Sequence, residues 1–155
     1  MIFCWAGRVV DVWLGLVRGA RAAWRALPGD LMASLVMGAC GIPGPGREVR
    51  EGAVSAVLVE HPRAARYLDH QWMPVYAQTL GRYVFAREPL PDHTVAHEME
   101  HVRQWRRLGP LFLPAYLASS GLALLRGRHP YRANRYEEAA RRCEFEPPKP
   151  RPVQS

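Results

Sequence analysis

The chain has 155 residues, of which 48% are hydrophobic, and its formal net charge is +7 at pH 7. This length and apolar content predict one folded domain with a modest core and exclude a disordered chain. The positive charge favours anionic partners such as lipid head groups, nucleic acid or acidic peptides. The arginines are spread over every segment and form no dense patch, which weakens the case for nucleic acid.

The cysteines Cys4, Cys40 and Cys143 are widely spaced and form no C-x-x-C pair. This pattern predicts neither a disulfide framework nor a thiolate zinc site. A reducing compartment is the simplest interpretation. Because no signal-peptide pattern is recognised, we expect a cytoplasmic protein.

Residues 6–27 place apolar side chains, including Trp13 and Trp24, on one helical face and arginines on the other. Such a basic amphipathic helix either covers a core or lies on an anionic membrane surface. Charges at Arg8, Asp11 and Arg18 interrupt the apolar run, so we predict neither a signal peptide nor a transmembrane span.

The segment that follows begins with Pro28-Gly29-Asp30, which predicts a break in the chain. A short apolar helix is then predicted over Leu31–Cys40, and Gly41–Gly46 is typical of a linker. We therefore predict that residues 1–46 consist of N-terminal amphipathic helices and a linker.

The middle of the chain contains shorter elements. Ala53–Val59 fits either a helix or a strand, and Pro62–Asp69 fits a helical turn. Met73–Gln78 and Arg82–Ala86 are predicted as two short strands around Leu80-Gly81. A strand just before the next helix could bind an extended peptide along its exposed edge.

The pentad His97-Glu98-Met99-Glu100-His101 has the form H-E-x-x-H. Residues four apart lie one turn above each other on a helix, so both imidazoles can bind one metal ion. Glu98 lies at the edge of that face, where a carboxylate can accept a proton from water without ligating the metal. Zinc favours this arrangement because it takes nitrogen and oxygen ligands and keeps one position open for water.

The helix that carries the pentad is predicted from about His93 to Leu108, with Asp92 as its N-cap and Gly109-Pro110 as its stop. One stripe of this helix contains the two histidines and Gln104, which could either support the metal ligands or be an ordinary surface residue. A second stripe is apolar and consists of Val95, Met99 and Val102. These two stripes predict a helix that packs against the core on one side and faces a cleft on the other.

Leu111–Leu125 contains no charged residue. We predict a buried helix near the active-site helix, with a segment at a membrane interface as the alternative. A last helix is predicted over Asn134–Cys143, and residues 146–155 form a proline-rich, extended tail.

Catalytic zinc needs a third protein ligand. Arg107 occupies the place of the third histidine in the longer H-E-x-x-H-x-x-G-x-x-H pattern, so a downstream glutamate remains, either Glu137 or Glu138. It is also open that neither binds, because Asn134 to Glu137 fits a capping box.

Amide hydrolysis also needs a donor that stabilises the oxyanion. The residues considered for this role are His93, His129, Tyr131 and Tyr136. For each of them, ordinary packing is the alternative.

Three stretches resemble the small gluzincin-type zinc metallopeptidase domains, some of which are domains of unknown function associated with contractile injection systems. Residues 77–85 resemble the A-x-T-x-G-x-x-[IV]-x-F strand of these domains, residues 96–104 their A-H-E-x-x-H-x-x-Q helix, and Glu137 with Ala140 their E-x-x-A helix. The resemblance implies that His97, His101 and Glu137 bind zinc and that Glu98 is the general base. Arg141 departs from the aspartate that often follows this last motif.

We therefore predict an α+β fold, mainly helical and zincin-like, with a small sheet next to the H-E-x-x-H helix and a core over residues 47–145. The predicted activity is zinc-dependent hydrolysis of peptide bonds in a peptide or protein substrate. The alternatives are a non-catalytic zinc-binding scaffold and an interaction protein attached peripherally to an anionic membrane surface.

Overall fold

A computed structural model describes residues 28–44, 46–71 and 75–145. The helix predicted over residues 6–27 and the tail predicted over residues 146–155 lie outside these ranges. The described chain is α+β and mainly helical, with a small four-stranded mixed sheet, which confirms the predicted class.

The sheet consists of β1 (Arg47–Glu51), β2 (Val54–Glu60), β3 (Ala77–Leu80) and β4 (Tyr83–Ala86), in the order β1-β2-β4-β3. The β1–β2 and β3–β4 pairs are antiparallel, whereas β2 and β4 run parallel. The segment that fitted either a helix or a strand is therefore strand β2. Strand β1 was not predicted, because four of its five residues are charged and show no apolar alternation.

Strand β3 begins four residues later than the strand predicted from Met73, which itself lies outside the described ranges. Leu80 pairs with Tyr83, so the turn consists of Gly81 and Arg82 and not of Leu80 and Gly81. Gly81 has a φ of +63°, which suits the first central position of a type II′ hairpin turn and is costly for other residues. The position of this glycine sets where the strand ends.

The helices are α1 (residues 28–40), α2 (Pro62–Asp69), α3 (Asp92–Leu108), α4 (Phe112–Leu125) and α5 (Arg135–Phe145), and a 3₁₀ turn over Gly109–Leu111 joins α3 to α4. The prediction of Asp92 as the N-cap of the H-E-x-x-H helix, α3, is wrong. Pro91 occupies the N-cap position with an extended backbone, and Asp92 is the first helical residue. There its carboxylate still lies beside the positive end of the helix dipole.

The break predicted after residues 6–27 stays a prediction, because those residues lie outside the described ranges. Residues 28–30 themselves are helical and belong to α1. They dock α1 onto the β3–β4 turn. A Cβ on Gly29 would lie 2.5 Å from the Cα of Gly81, and Oδ1 of Asp30 accepts a hydrogen bond from the backbone N–H of Arg82 at 2.8 Å. The glycine therefore permits a close contact between two backbones and does not end the helix.

The sheet separates two apolar clusters. On one side, Met99 and Val102 of α3 pack against Ala56, Leu58 and Val84. On the other side, residues of α1 and α2 cover the sheet, and the cluster comprises Ala33, Val57, Val59, Ala64, Leu68 and Phe85. The predicted apolar stripe of α3 thus packs against the sheet, and its histidine stripe is left to face α5.

The prediction that Leu111–Leu125 is buried is wrong. Only Phe112 and Ala123 of α4 are buried, whereas most of its leucines are exposed. By length and composition, Asp92–Leu125 is the one helical stretch of the described chain that could cross a membrane, and 17% of its most apolar window is buried. An apolar sequence alone does not specify which side of a helix faces inward, and the few polar residues of α4 decide it here.

Candidate metal centre

Three buried side chains meet between α3 and α5: His97, His101 and Glu137. One possible ligand atom from each residue lies within 4.8 Å of the others. Nε2 of His97 is 3.5 Å from Oε2 of Glu137, and Nε2 of His101 is 3.4 Å from Oε1 of the same carboxylate. The two Nε2 atoms are 3.2 Å apart. The geometry therefore directs four nitrogen and oxygen atoms towards one small volume.

Asn134 fixes the start of α5 and thereby the place of Glu137. Its Oδ1 accepts a hydrogen bond from the backbone N–H of Tyr136 at 2.9 Å, which caps the helix. Its Nδ2 donates to the carbonyl oxygen of Tyr116 and to Oγ of Ser120. This fully buried amide therefore ties the first turn of α5 to α4.

The capping box considered for Glu137 is not formed. The backbone N–H of Asn134 donates to the carbonyl oxygen of Tyr131, and Oε1 of Glu137 accepts a hydrogen bond from the Tyr116 hydroxyl at 2.7 Å. Glu138, the other glutamate considered as a ligand, is exposed and does not belong to the cluster. The structure thus brings Glu137, and not Glu138, to the two histidines.

Gln104 orients the His101 ring. Its Nε2 donates to the carbonyl oxygen of Tyr136, which turns Oε1 towards Nδ1 of His101 at 2.9 Å. Because this amide oxygen can only accept, Nδ1 of His101 carries a proton. The neutral ring therefore presents an unprotonated Nε2 to the cluster.

Glu144 has a similar place behind His97. Its Oε1 lies 3.1 Å from Nδ1 of His97. The angles are not those of a hydrogen bond, and this Nδ1 and Oε2 of Glu137 are the buried side-chain atoms left without a hydrogen-bond partner in the described chain. A carboxylate behind a histidine is the usual way to hold the ring of a metal ligand.

The protonation of the cluster shows how strongly it favours a positive charge. Burial lowers the pKa of His101, but the hydrogen bond with Glu137 and the charge of Glu98 outweigh this effect and raise the pKa to about 9. Burial likewise opposes the charge of Glu137, yet its contacts with both histidines hold its pKa well below the usual range. A cation is thus stabilised at this place.

Glu98 is buried beside the cluster but contributes no atom to it. Oγ1 of Thr79 donates a hydrogen bond to Oε2 of Glu98 at 2.5 Å. Thr79 is itself held by Trp105, whose Nε1 donates to its carbonyl oxygen at 3.2 Å. Strand β3 therefore fixes the carboxylate expected to act as the base.

A cavity of about 570 Å³ opens over these residues. Glu98 and the three cluster residues line it, together with β3 and the start of α4. Of the residues considered for oxyanion stabilisation, His129 and Tyr131 line the cavity. Tyr136 packs instead against Phe112 and Tyr116, and His93 is exposed outside the cavity.

Three residues that contact the predicted site residues carry no role predicted from the sequence: Thr79, Tyr116 and Glu144. Glu144 could have been found, because it lies two helical turns after Glu137 on the same face. Thr79 belongs to the strand motif quoted above, but the motif alone shows no contact. No sequence pattern indicates a role for Tyr116, because only the packing of the apolar helix α4 brings it to Glu137.

Comparisons of the chain with protein-family models, with curated proteins and with solved structures found no match. The resemblance to gluzincin-type peptidases therefore stays a prediction. The function has to be argued from the geometry of the site.

Proposed function

We propose that this protein is a zinc-dependent metallopeptidase with a zincin-like fold. His97, His101 and Glu137 would hold the metal, and Glu98 would act as the general base. The substrate class is a peptide or protein bound in an extended conformation.

The convergence of the two Nε2 atoms carries this proposal. Gln104 accepts the Nδ1 proton of His101, so Nε2 of His101 points to the cluster, where it lies 3.2 Å from Nε2 of His97 and 3.4 Å from Oε1 of Glu137. Nitrogen and oxygen acceptors packed this closely in a buried site repel each other unless a cation lies among them, either a proton, as on His101 in the metal-free protein, or a metal ion in its place. Two imidazoles and one carboxylate are a ligand set of catalytic zinc, which leaves a fourth position for water.

The proposed chemistry divides between the metal and Glu98. Bound zinc would supply Lewis acidity, which lowers the pKa of water and polarises the scissile carbonyl. Glu98 would accept the proton of the attacking water and pass it to the leaving amine. Because Thr79 occupies Oε2, Oε1 is the oxygen assigned to this transfer.

Two donors are available for the oxyanion. Nδ1 of His129 accepts hydrogen bonds from the backbone N–H groups of Tyr131 and Arg132 at 3.2 and 3.3 Å. In the neutral ring the proton is therefore on Nε2, which becomes a donor. The Tyr131 hydroxyl is the second donor, and burial together with Glu137 raises its pKa, so that it keeps its proton.

Strand β3 supports an extended substrate. It is an edge strand of the sheet, and residues 75–80 line the cavity. A peptide could add to this edge through backbone hydrogen bonds. The carbonyl oxygen of Thr79 is already occupied by Trp105, so pairing would centre on Ala77.

Metal content tests the ligand set directly. The protein is purified, supplied with zinc, dialysed and analysed by elemental analysis beside His101→Ala, Glu137→Ala and Glu138→Ala. We expect about one zinc per chain in the wild type and in Glu138→Ala, and loss of zinc in the other two. Glu138 is the matched control, because it neighbours Glu137 on α5 but is exposed.

The results separate the alternatives. Zinc retained by Glu137→Ala would exclude the proposed third ligand, and no zinc in the wild type would exclude the site. A wild-type protein that binds zinc but cleaves no member of a fluorogenic peptide library would favour the non-catalytic zinc-binding scaffold.

A further inference from the structure

We propose that the outer face of α4 is a docking surface for an anionic lipid bilayer. This outer face consists of the exposed residues Leu113, Pro114, Leu117, Ala118, Leu122, Leu124 and Leu125. Every one of them is apolar, and together they cover the solvent side of the helix. A continuous apolar surface of this kind marks an interaction site.

The polar residues of α4 point in the opposite direction. The Tyr116 hydroxyl donates to Oε1 of Glu137 at 2.7 Å, and Oγ of Ser119 accepts a hydrogen bond from the backbone N–H of Arg135 at 3.1 Å. Oγ of Ser120 accepts from Nδ2 of Asn134 at 2.8 Å. The helix thus directs its polar groups to the protein and its leucines to the solvent, which is the reverse of a helix on the surface of a water-soluble domain.

The charges near α4 indicate the chemistry of the partner. No aspartate or glutamate occurs between Glu100 and Glu137, whereas this stretch contains arginines at both ends of α4. Arg126 and Arg128 directly follow the helix and are exposed, and neither forms an ion pair with a described residue. Leucines beside unpaired arginines match acyl chains beside anionic head groups.

The length of α4 decides how it would bind. Its 14 residues extend over about 21 Å, which is shorter than the apolar core of a bilayer at about 30 Å. Helix α3 cannot lengthen it into a span, because it packs against the sheet and carries the buried polar site. The helix would therefore lie in the plane of the interface.

The outer face adjoins the cavity. Leu113 belongs to this face and also lines the cavity next to Phe112 and Tyr116. Docking would leave the cavity open beside the membrane. The substrates would then be peptide segments at a membrane surface, a consequence that rests on the proposed peptidase function.

Vesicle co-sedimentation tests the docking surface. Wild type and variants are mixed at low salt with vesicles of phosphatidylcholine alone or with phosphatidylglycerol. We expect the wild type to bind the anionic vesicles. The affinity of Leu117→Glu/Leu124→Glu for these vesicles should be at least about tenfold lower. Arg126→Gln/Arg128→Gln should also weaken binding by about tenfold or more.

The matched control is Leu31→Glu/Leu35→Glu on α1. These leucines are 60% and 65% exposed, against 60% and 59% for Leu117 and Leu124, so both variants add equal charge at equal exposure. The control should bind like the wild type. Zinc content and the thermal midpoint should remain unchanged in all variants, which separates this test from the test of the metal site.

Three results would overturn the proposal. The wild type could fail to bind anionic vesicles at low salt, or Leu117→Glu/Leu124→Glu could bind as strongly as the wild type. A dimer of the wild type in analytical ultracentrifugation that this variant abolishes, without any vesicle binding, would instead assign the face to a second copy of the chain.

Discussion

Helices α3 and α4 follow each other in the chain but divide their residues in opposite ways. Helix α3 buries apolar Met99 and Val102 on one side and polar His97, His101 and Gln104 on the other. Helix α4 turns its hydroxyl groups inward and exposes its leucines. In both helices, the inward-facing polar groups contact α5 or the residue that caps it.

The difference shows that polar burial and apolar exposure have separate causes. Burying a histidine or a carboxylate costs free energy unless a partner compensates it, so the polar face of α3 indicates a ligand inside the protein. Exposing leucines loses the free energy of burial, so the outer face of α4 indicates a partner outside it. The predictions below test this contrast.

The largest effect is expected from Glu98→Gln. This change keeps the size of the side chain and removes the base, so turnover should fall by about a thousandfold with zinc content unchanged. Steady-state hydrolysis of a peptide found in the library screen measures it, and Glu100→Gln, in the same pentad, serves as the control. Equal activity of Glu98→Gln and the wild type would remove Glu98 from the mechanism.

The residues behind the histidines should matter less. Gln104→Leu and Glu144→Leu should each weaken zinc binding by about 10- to 100-fold, because the His101 ring loses the acceptor at its Nδ1 and the His97 ring loses the carboxylate beside its Nδ1. Competition with a chromophoric chelator gives the zinc affinity, and Glu138→Leu is the control. Unchanged affinity in both variants would show that α5 and α3 hold the rings by packing alone.

The metal-free protein should depend on pH in a defined direction. The pKa of His101 is raised to about 9, so its contribution to stability is complete below about pH 6.5 and is lost as the pH rises through 9. The pKa of Glu137 is lowered, so its contribution is present above about pH 4.5 and is lost on acidification.

Thermal midpoints of the chelator-treated protein should therefore be highest between about pH 5 and pH 6.5, and fall by roughly 5 °C or more by pH 10. The decline at high pH should be reduced in His101→Gln. A midpoint that rises steadily from pH 6.5 to pH 9 would contradict the protonated cluster.

Asn134→Ala should lower the free energy of unfolding by about 2 kcal/mol, because α5 loses its cap and the buried oxygens of Tyr116 and Ser120 lose a donor. Asn134→Asp keeps the capping oxygen but not the amide donor. Its free energy of unfolding is therefore expected to lie between those of the wild type and Asn134→Ala. Urea unfolding followed by circular dichroism measures both. A loss below about 0.5 kcal/mol for Asn134→Ala would show that α4 does not depend on this contact.

The smallest effect is expected on the outer face. Leu117→Ala should change the free energy of unfolding by less than about 0.5 kcal/mol, since the side chain is already exposed. Met99→Ala, on the buried side of α3, should cost about 2–5 kcal/mol. A large loss in Leu117→Ala would mean that this leucine packs inside the protein in solution.

Much of the fold could be predicted where the signal is local. The apolar and histidine stripes of α3 follow from helical periodicity, and α2 and α5 were predicted close to their observed bounds. Strand β1 was not predicted because most of its residues are charged. Strand β2 was ambiguous because a short apolar run fits both the helical and the strand periodicity. The burial of α4 was predicted wrongly, because hydrophobicity alone was taken to indicate the core.

The sequence by itself determined that His97 and His101 share one face of a helix and that Glu98 lies at its edge, since backbone periodicity specifies these relations within two turns. Only the tertiary structure decided which glutamate joins the histidines, that Thr79 holds Glu98, and which way α4 faces. Those contacts join distant parts of the chain, and their geometry depends on how the helices pack against the sheet and on each other.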